Sequence, residues 1–146
     1  VFCMFILLVS CSSEKKSENI DYLGKTRAEI VKEKGNPVED EKQVGKFDEA
    51  IAYGKDFLNY ELFYFKKDIC IRHNVILPKE KFDEKYTELK KQFGEPIKKS
   101  DYFLFANEMI KLTTVNPDKL NKIAPNSASK QDSLEYTFMI IYGDKK

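Results

Sequence analysis

Arginine and histidine are scarce in this chain of 146 residues, and each shortage excludes a class of function. Only Arg27 and Arg72 among the 25 basic residues are arginine, which argues against recognition of phosphates or carboxylates by paired guanidinium groups. The 24 acidic residues are interleaved with the basic ones, and at a net charge of +1 no basic stripe remains for a nucleic acid partner. A single histidine cannot supply an imidazole cluster, so no metal and no cofactor are expected.

Long hydrophobic runs are also missing. The most apolar stretch, Phe2 to Val9, is eight residues long, whereas a helix needs roughly 20 to cross the hydrocarbon layer of a membrane. A charged segment, Ser12–Glu18, follows almost at once and has no reason to pack against a core. A short apolar run that ends at small residues is typical of a secretory signal. The sequence therefore predicts that residues 1–10 are a signal peptide that is removed.

The end of this run, Leu8-Val9-Ser10-Cys11, resembles the lipobox of bacterial lipoprotein precursors at all four positions. The resemblance implies that Cys11 is the lipid attachment site and the mature N-terminus, carrying a diacylglyceryl group. The basic residues that precede the apolar run in that family are not present in this sequence. Lasting attachment takes two or three acyl chains, because one chain alone binds a membrane only marginally.

This resemblance also implies an organisation and a location. Residues 11–21 would be the lipidated cysteine and a flexible tether, and residues 22–146 a single domain. About ten flexible residues span roughly 17 Å, which keeps the domain close to the membrane surface. The expected location is the cell envelope, lipid-anchored, on the periplasmic side of the outer membrane. Ser12 permits outer-membrane sorting, although the host could equally be Gram-positive.

Disulfides are not expected to hold the domain together. Of the three cysteines, Cys3 leaves with the signal and Cys11 is acylated, which leaves Cys70 without a partner. The chain has no tryptophan, so packing must come from its 11 phenylalanines and 8 tyrosines.

Two helices are predicted from capping and periodicity. Thr26 and Glu29 have the spacing of a capping box, and Gly35 followed by Pro37 ends a short helix. A second helix follows Pro78 and ends before Gly94 and Pro96. Its apolar side chains recur at helical spacing on one stripe; they are Phe82, Tyr86, Leu89 and Phe93.

Six segments rich in aromatic and β-branched residues predict strands, three after each helix. They are Phe47–Tyr53, Leu58–Phe65, Ile69–Leu77, Tyr102–Ala106, Met109–Val115 and Leu134–Tyr142. The predicted fold class is α+β: two helix-plus-three-strand-meander repeats, at about 22–77 and 78–146, with the helices on one face of an antiparallel sheet. The segment 116–133 is a long loop, which in a compact domain is usually functional or disordered.

The first helix and its flanks resemble a known group of domains. Leu23-Gly24-Lys25-Thr26-Arg27-Ala28-Glu29-Ile30, ending at Gly35-Asn36-Pro37 before an aromatic meander, is similar to the small BLIP-like domains. These include the SmpA/OmlA (BamE) outer-membrane lipoproteins and the β-lactamase-inhibitor-type repeats. The resemblance covers 22–37 well and 79–96 weakly, and Lys25 stands where methionine is commoner. It implies a helix packed on an antiparallel sheet and a role in binding proteins, with no individual functional residue carried over.

No sequence motif for covalent or metal catalysis is present. Cys70 and His73 come nearest to a nucleophile–base pair, but residues three apart in a strand point to opposite faces. Cys70 is therefore expected to be a buried thiol and His73 a structural side chain. Glu61 and the other carboxylates are interpreted as solvated. No catalytic residue is assigned, and the chain is expected not to be an enzyme.

Aromatic side chains occur on both faces of the predicted strands, and two short helices can cover only one side of the sheet. Either the sheet curls and buries its concave side, or an aromatic patch stays exposed for a partner. The candidate binding face in the second case consists of Tyr60, Tyr64, Tyr136 and Tyr142. The predicted function is a membrane-anchored, non-enzymatic module that binds another envelope protein or assists envelope assembly. The alternative is a lipoprotein that holds a lipid or glycan in a cavity.

Overall fold

The computed structural model describes residues 20–54, 59–114 and 137–143. Within them the chain forms two α-helices, 3₁₀ turns at Ile20–Tyr22 and Lys79–Lys81, and eight strands. The helices are α1, Arg27–Lys34, and α2, Phe82–Phe93. The strands are β1, Glu39–Val44; β2, Phe47–Tyr53; β3, Tyr60–Lys66; β4, Ile69–Pro78; β5, Ile97–Lys98; β6, Tyr102–Phe105; β7, Ile110–Thr114; and β8, Thr137–Gly143.

All eight strands belong to one antiparallel sheet with the order β1-β2-β3-β4-β8-β7-β6-β5. Four strands follow each helix, and β4 pairs with β8 in the middle of the sheet. The prediction of two helix-plus-three-strand repeats is therefore wrong. The structure is mostly an eight-stranded sheet with two short helices.

The two strands that the sequence did not reveal, β1 and β5, are the two edges of the sheet. Strand β1 reads Glu-Asp-Glu-Lys-Gln-Val and lacks the alternation of apolar and polar residues that marks a half-buried strand. Strand β5 has two residues, both exposed. Edge strands pair on one side alone, and charged or very short edges prevent pairing with other chains. Neither strand needs the apolar pattern that identified the other six.

The predicted helix ends are confirmed. In the capping box the backbone N–H of Thr26 donates to the Glu29 carboxylate at 2.7 Å, and the N–H of Glu29 donates to the Thr26 hydroxyl at 3.3 Å. Gly35 and Gly94 follow the last helical residues with φ of +87° and +84°. Side chains other than glycine adopt such angles only with strain, so glycine allows the chain to leave each helix there.

Both helices pack against the same face of the sheet, which we call the helical face. Its register row runs through Ile51, Phe63, His73, Tyr142 and Ile110. The α1 residue Ile30 is buried in one cluster on this face, and the α2 residue Leu89 in another. The two clusters are the core beneath the helices.

The other face of the sheet, which we call the opposite face, differs between its two halves. Its β1–β4 half carries a buried cluster that consists of Phe47, Ala50, Ala52, Tyr60, Leu62, Tyr64 and Ile76. A space of about 10 Å³ remains beside this cluster, which is about enough for one water molecule. The half formed by β8, β7, β6 and β5 carries a groove that reaches Arg72 of β4 and is described below.

Candidate functional site

A groove of about 520 Å³ lies on the opposite face, in the half of the sheet that ends at β5. The described residues that line it are Arg72, Lys99, Tyr102, Leu104, Glu108, Lys111, Ile141 and Gly143. This volume falls in the range of about 300–1,000 Å³ that is common for ligand sites. We treat it as the candidate functional site and call it the basic groove.

Strand pairing brings these residues together. Lys111 of β7 lies between its register partners Leu104 of β6 and Ile141 of β8. On β4, Arg72 pairs with Gly143. Lys99 directly follows β5, and its backbone N–H donates to the carbonyl of Tyr102 at 2.9 Å. The groove is therefore built from four strands and two turns, which come from three separate stretches of the sequence.

The groove is cationic and only partly apolar. Its described lining contains three cations, Arg72, Lys99 and Lys111, and one carboxylate, Glu108. The ammonium of Lys111 lies 4.0 Å from the centroid of the Tyr102 ring, a distance at which cation and ring attract each other. The side chains of Arg72 and Lys111 are half-buried, which reduces their hydration and strengthens their interaction with an anion.

Sequence reasoning did not single out the groove residues, although part of the signal was present. Lys111 and Thr113 alternate with the buried Ile110 and Leu112 in β7, so the pattern places the two polar residues on the other face of the strand. Nothing local indicates that β8 would connect this strand to β4 and so to Arg72.

The helical face holds a second group of polar residues, which is buried. The ring of His73 is fully buried and stacks on Phe63 with centroids 4.2 Å apart. Its Nε2 lies 2.9 Å from one carboxylate oxygen of Glu61, and the ammonium of Lys34 donates to the other at 3.0 Å. Glu61 is thus the centre of an ion-pair network and not the solvated side chain that was expected.

Aromatic rings surround the lysine of this network. The Lys34 ammonium lies 5.3 Å from the Tyr22 ring centroid, 5.6 Å from that of Tyr53 and 5.7 Å from that of Phe63. Burial raises the pKa of the Glu61 carboxyl, but the contacts to His73 and Lys34 outweigh it and hold the pKa below 4.5. The network fastens α1 to the sheet, and we assign it a structural role.

The expected separation of Cys70 and His73 on opposite faces is wrong. Phe63 pairs with His73, and Phe65 pairs with Cys70. The two partners on β3 are two residues apart in the sequence, whereas those on β4 are three residues apart. Ile71 is the extra residue of this β-bulge, which turns Cys70 back onto the helical face. The thiol donates to the carbonyl of Arg72 at 3.5 Å, and burial raises its pKa to about 12. A thiol with that pKa is a poor nucleophile at neutral pH.

The tyrosines predicted as a binding face do not form one surface in the described chain. Tyr60 and Tyr64 lie on the opposite face and are 3% and 4% exposed. Burial raises the pKa of both hydroxyls, that of Tyr64 to about 12. Tyr142 is 2% exposed and belongs to the helical face. Tyr136 lies outside the described residues, as do the lipobox with Cys11, the tether up to residue 19 and the loop 116–133.

Two further observations concern residues 20–54, 59–114 and 137–143. No group of three or more histidine, cysteine, aspartate or glutamate side chains there is placed to hold a metal ion. Neither α1 nor α2 has the length and apolar character that crossing a bilayer requires.

Comparison with known proteins gives one similar structure. No model of a protein family matches the chain, and no curated protein matches it. Among solved structures, the chain is similar to an extracellular protein containing a SCP domain from Bacillus anthracis str. Ames, with a TM-score of 0.51 and 13% sequence identity. The match covers 96% of this chain and 50% of that one, so the chain spans about half the length of its neighbour. At this identity the likeness shows the fold alone.

Proposed function

We propose that this protein is a bacterial lipoprotein, anchored on the cell envelope by acyl chains on Cys11, whose domain binds another envelope protein without catalysing a reaction. The sequence Leu8-Val9-Ser10-Cys11 supports the anchor. Ile20, the first described residue, follows Cys11 after nine peptide bonds, a length that spans at most about 30 Å. An anchored domain would therefore work beside the membrane. The description of the neighbour as extracellular fits an exported protein.

The basic groove is the observation that carries the binding role. It is an open, charged depression on the sheet face that α1 and α2 leave uncovered. Charged and partly apolar surfaces of this kind suit contact with another protein, where cations in the rim speed association and select the partner. His73 and Cys70 are the side chains that come nearest to a nucleophile–base pair, and both are buried on the helical face. We therefore propose binding and not catalysis.

Replacing Cys11 with alanine should abolish acylation and release the protein from membranes. With Cys11 intact we expect incorporation of labelled palmitate and recovery in the membrane fraction, because acyl chains are then the anchor. The matched control is Cys3→Ala, which removes the other cysteine of the same segment and should leave both results unchanged. Palmitate on the Cys11→Ala protein, or native protein whose mass still includes residues 1–10, would contradict the anchor.

A pull-down from membranes tests the binding role separately. The acylated protein, cross-linked in cells and purified in detergent, should recover at least one envelope protein in a stoichiometric band. Recovery of free monomer alone from several growth conditions would count against the proposal. The same experiment with Cys11→Ala shows whether the membrane location is needed for the contact.

A lipid- or glycan-binding lipoprotein is the second candidate. The groove volume of about 520 Å³ favours it, because small molecules bind in cavities of this size. A small molecule that stays bound in native mass spectrometry of protein purified from membranes would support this candidate over the first.

A further inference from the structure

We draw no further inference here: the strongest candidate, the apolar surface patch of Ile97, Leu104 and Ile141 on the opposite face of the sheet, carries nothing because no feature of residues 20–54, 59–114 and 137–143 shows what covers it.

Discussion

Replacing Phe63 with alanine should lower the free energy of unfolding by about 3–5 kcal/mol, the largest loss that we expect from one side chain. The Phe63 ring is fully buried at the centre of the helical face. The rings of Tyr22, Tyr53 and His73 lie around it with centroids 5.1, 5.8 and 4.2 Å away. Alanine would leave a cavity that these rings cannot fill without shifting, so transfer energy and packing are lost together.

Urea unfolding followed by circular dichroism measures this loss, provided that the slope of the transition stays the same. The control variant is Phe82→Ala, which removes the same ring from a half-buried position at the start of α2. Phe82→Ala should lower the free energy of unfolding clearly less than Phe63→Ala does. Similar losses for the two variants would show that Phe63 is not the centre of the core under α1.

Replacing Glu61 with glutamine should destabilise the domain by about 1.5–3 kcal/mol at neutral pH, the range for hydrogen bonds with a charged partner. The variant keeps the size of the side chain but removes the charge that Lys34 and His73 face. Only 28% of the Glu61 side chain is exposed, so water compensates little for the lost charge. We expect α1 to loosen first, since Lys34 is its last residue.

The effect of Glu61→Gln should depend on pH. The carboxyl pKa is held below its ordinary value of 4.5 in the folded state, so the carboxylate contributes stability above that value. The contribution is lost as the pH falls through the folded-state pKa. The free energy of unfolding should therefore be measured for the native and the Glu61→Gln protein from neutral to acid pH. We expect the difference between the two proteins to shrink below about pH 4.5.

Glu33→Gln is the matched control for this network. Glu33 lies on α1, where its carboxylate pairs with Lys25 at 2.7 Å and accepts a hydrogen bond from the Tyr22 hydroxyl at 2.8 Å. About half of its side chain is exposed, and glutamine keeps an oxygen that can accept from Tyr22. Exposed ion pairs contribute up to about 1 kcal/mol, so the loss should be smaller than for Glu61→Gln. Equal losses at the two positions, or a native-minus-Glu61→Gln difference independent of pH, would contradict the role assigned to Glu61.

The helices and six of the strands could be predicted from short stretches of sequence. The capping box at Thr26, the apolar stripe of α2 and the glycines after both helices each depend on residues within one or two turns. Strand alternation likewise shows which residues share a face. The same alternation failed at Cys70, because the bulge at Ile71 changes the phase of β4. It also failed at both sheet edges, where β1 and β5 need no apolar face.

Short sequence patterns could not predict the candidate site or the buried Glu61 network. Lys111 could be assigned to a polar strand face, but its neighbours across the sheet come from β6 and β8. Glu61 looks like any exposed carboxylate in the sequence. Its partners are supplied by α1 and by β4, and the fold brings them together.

The sequence alone therefore determined where helices begin and end, which side chains alternate along six strands, and the lipobox resemblance at Cys11. Local hydrogen bonds and periodicity are sufficient for the secondary structure. The tertiary structure decided that β4 pairs with β8, which joins two four-stranded halves into one sheet and aligns Arg72, Lys111 and Lys99 in one groove. Pairing of distant strands depends on packing energy summed over the whole sheet, and no short stretch of the chain contains that information.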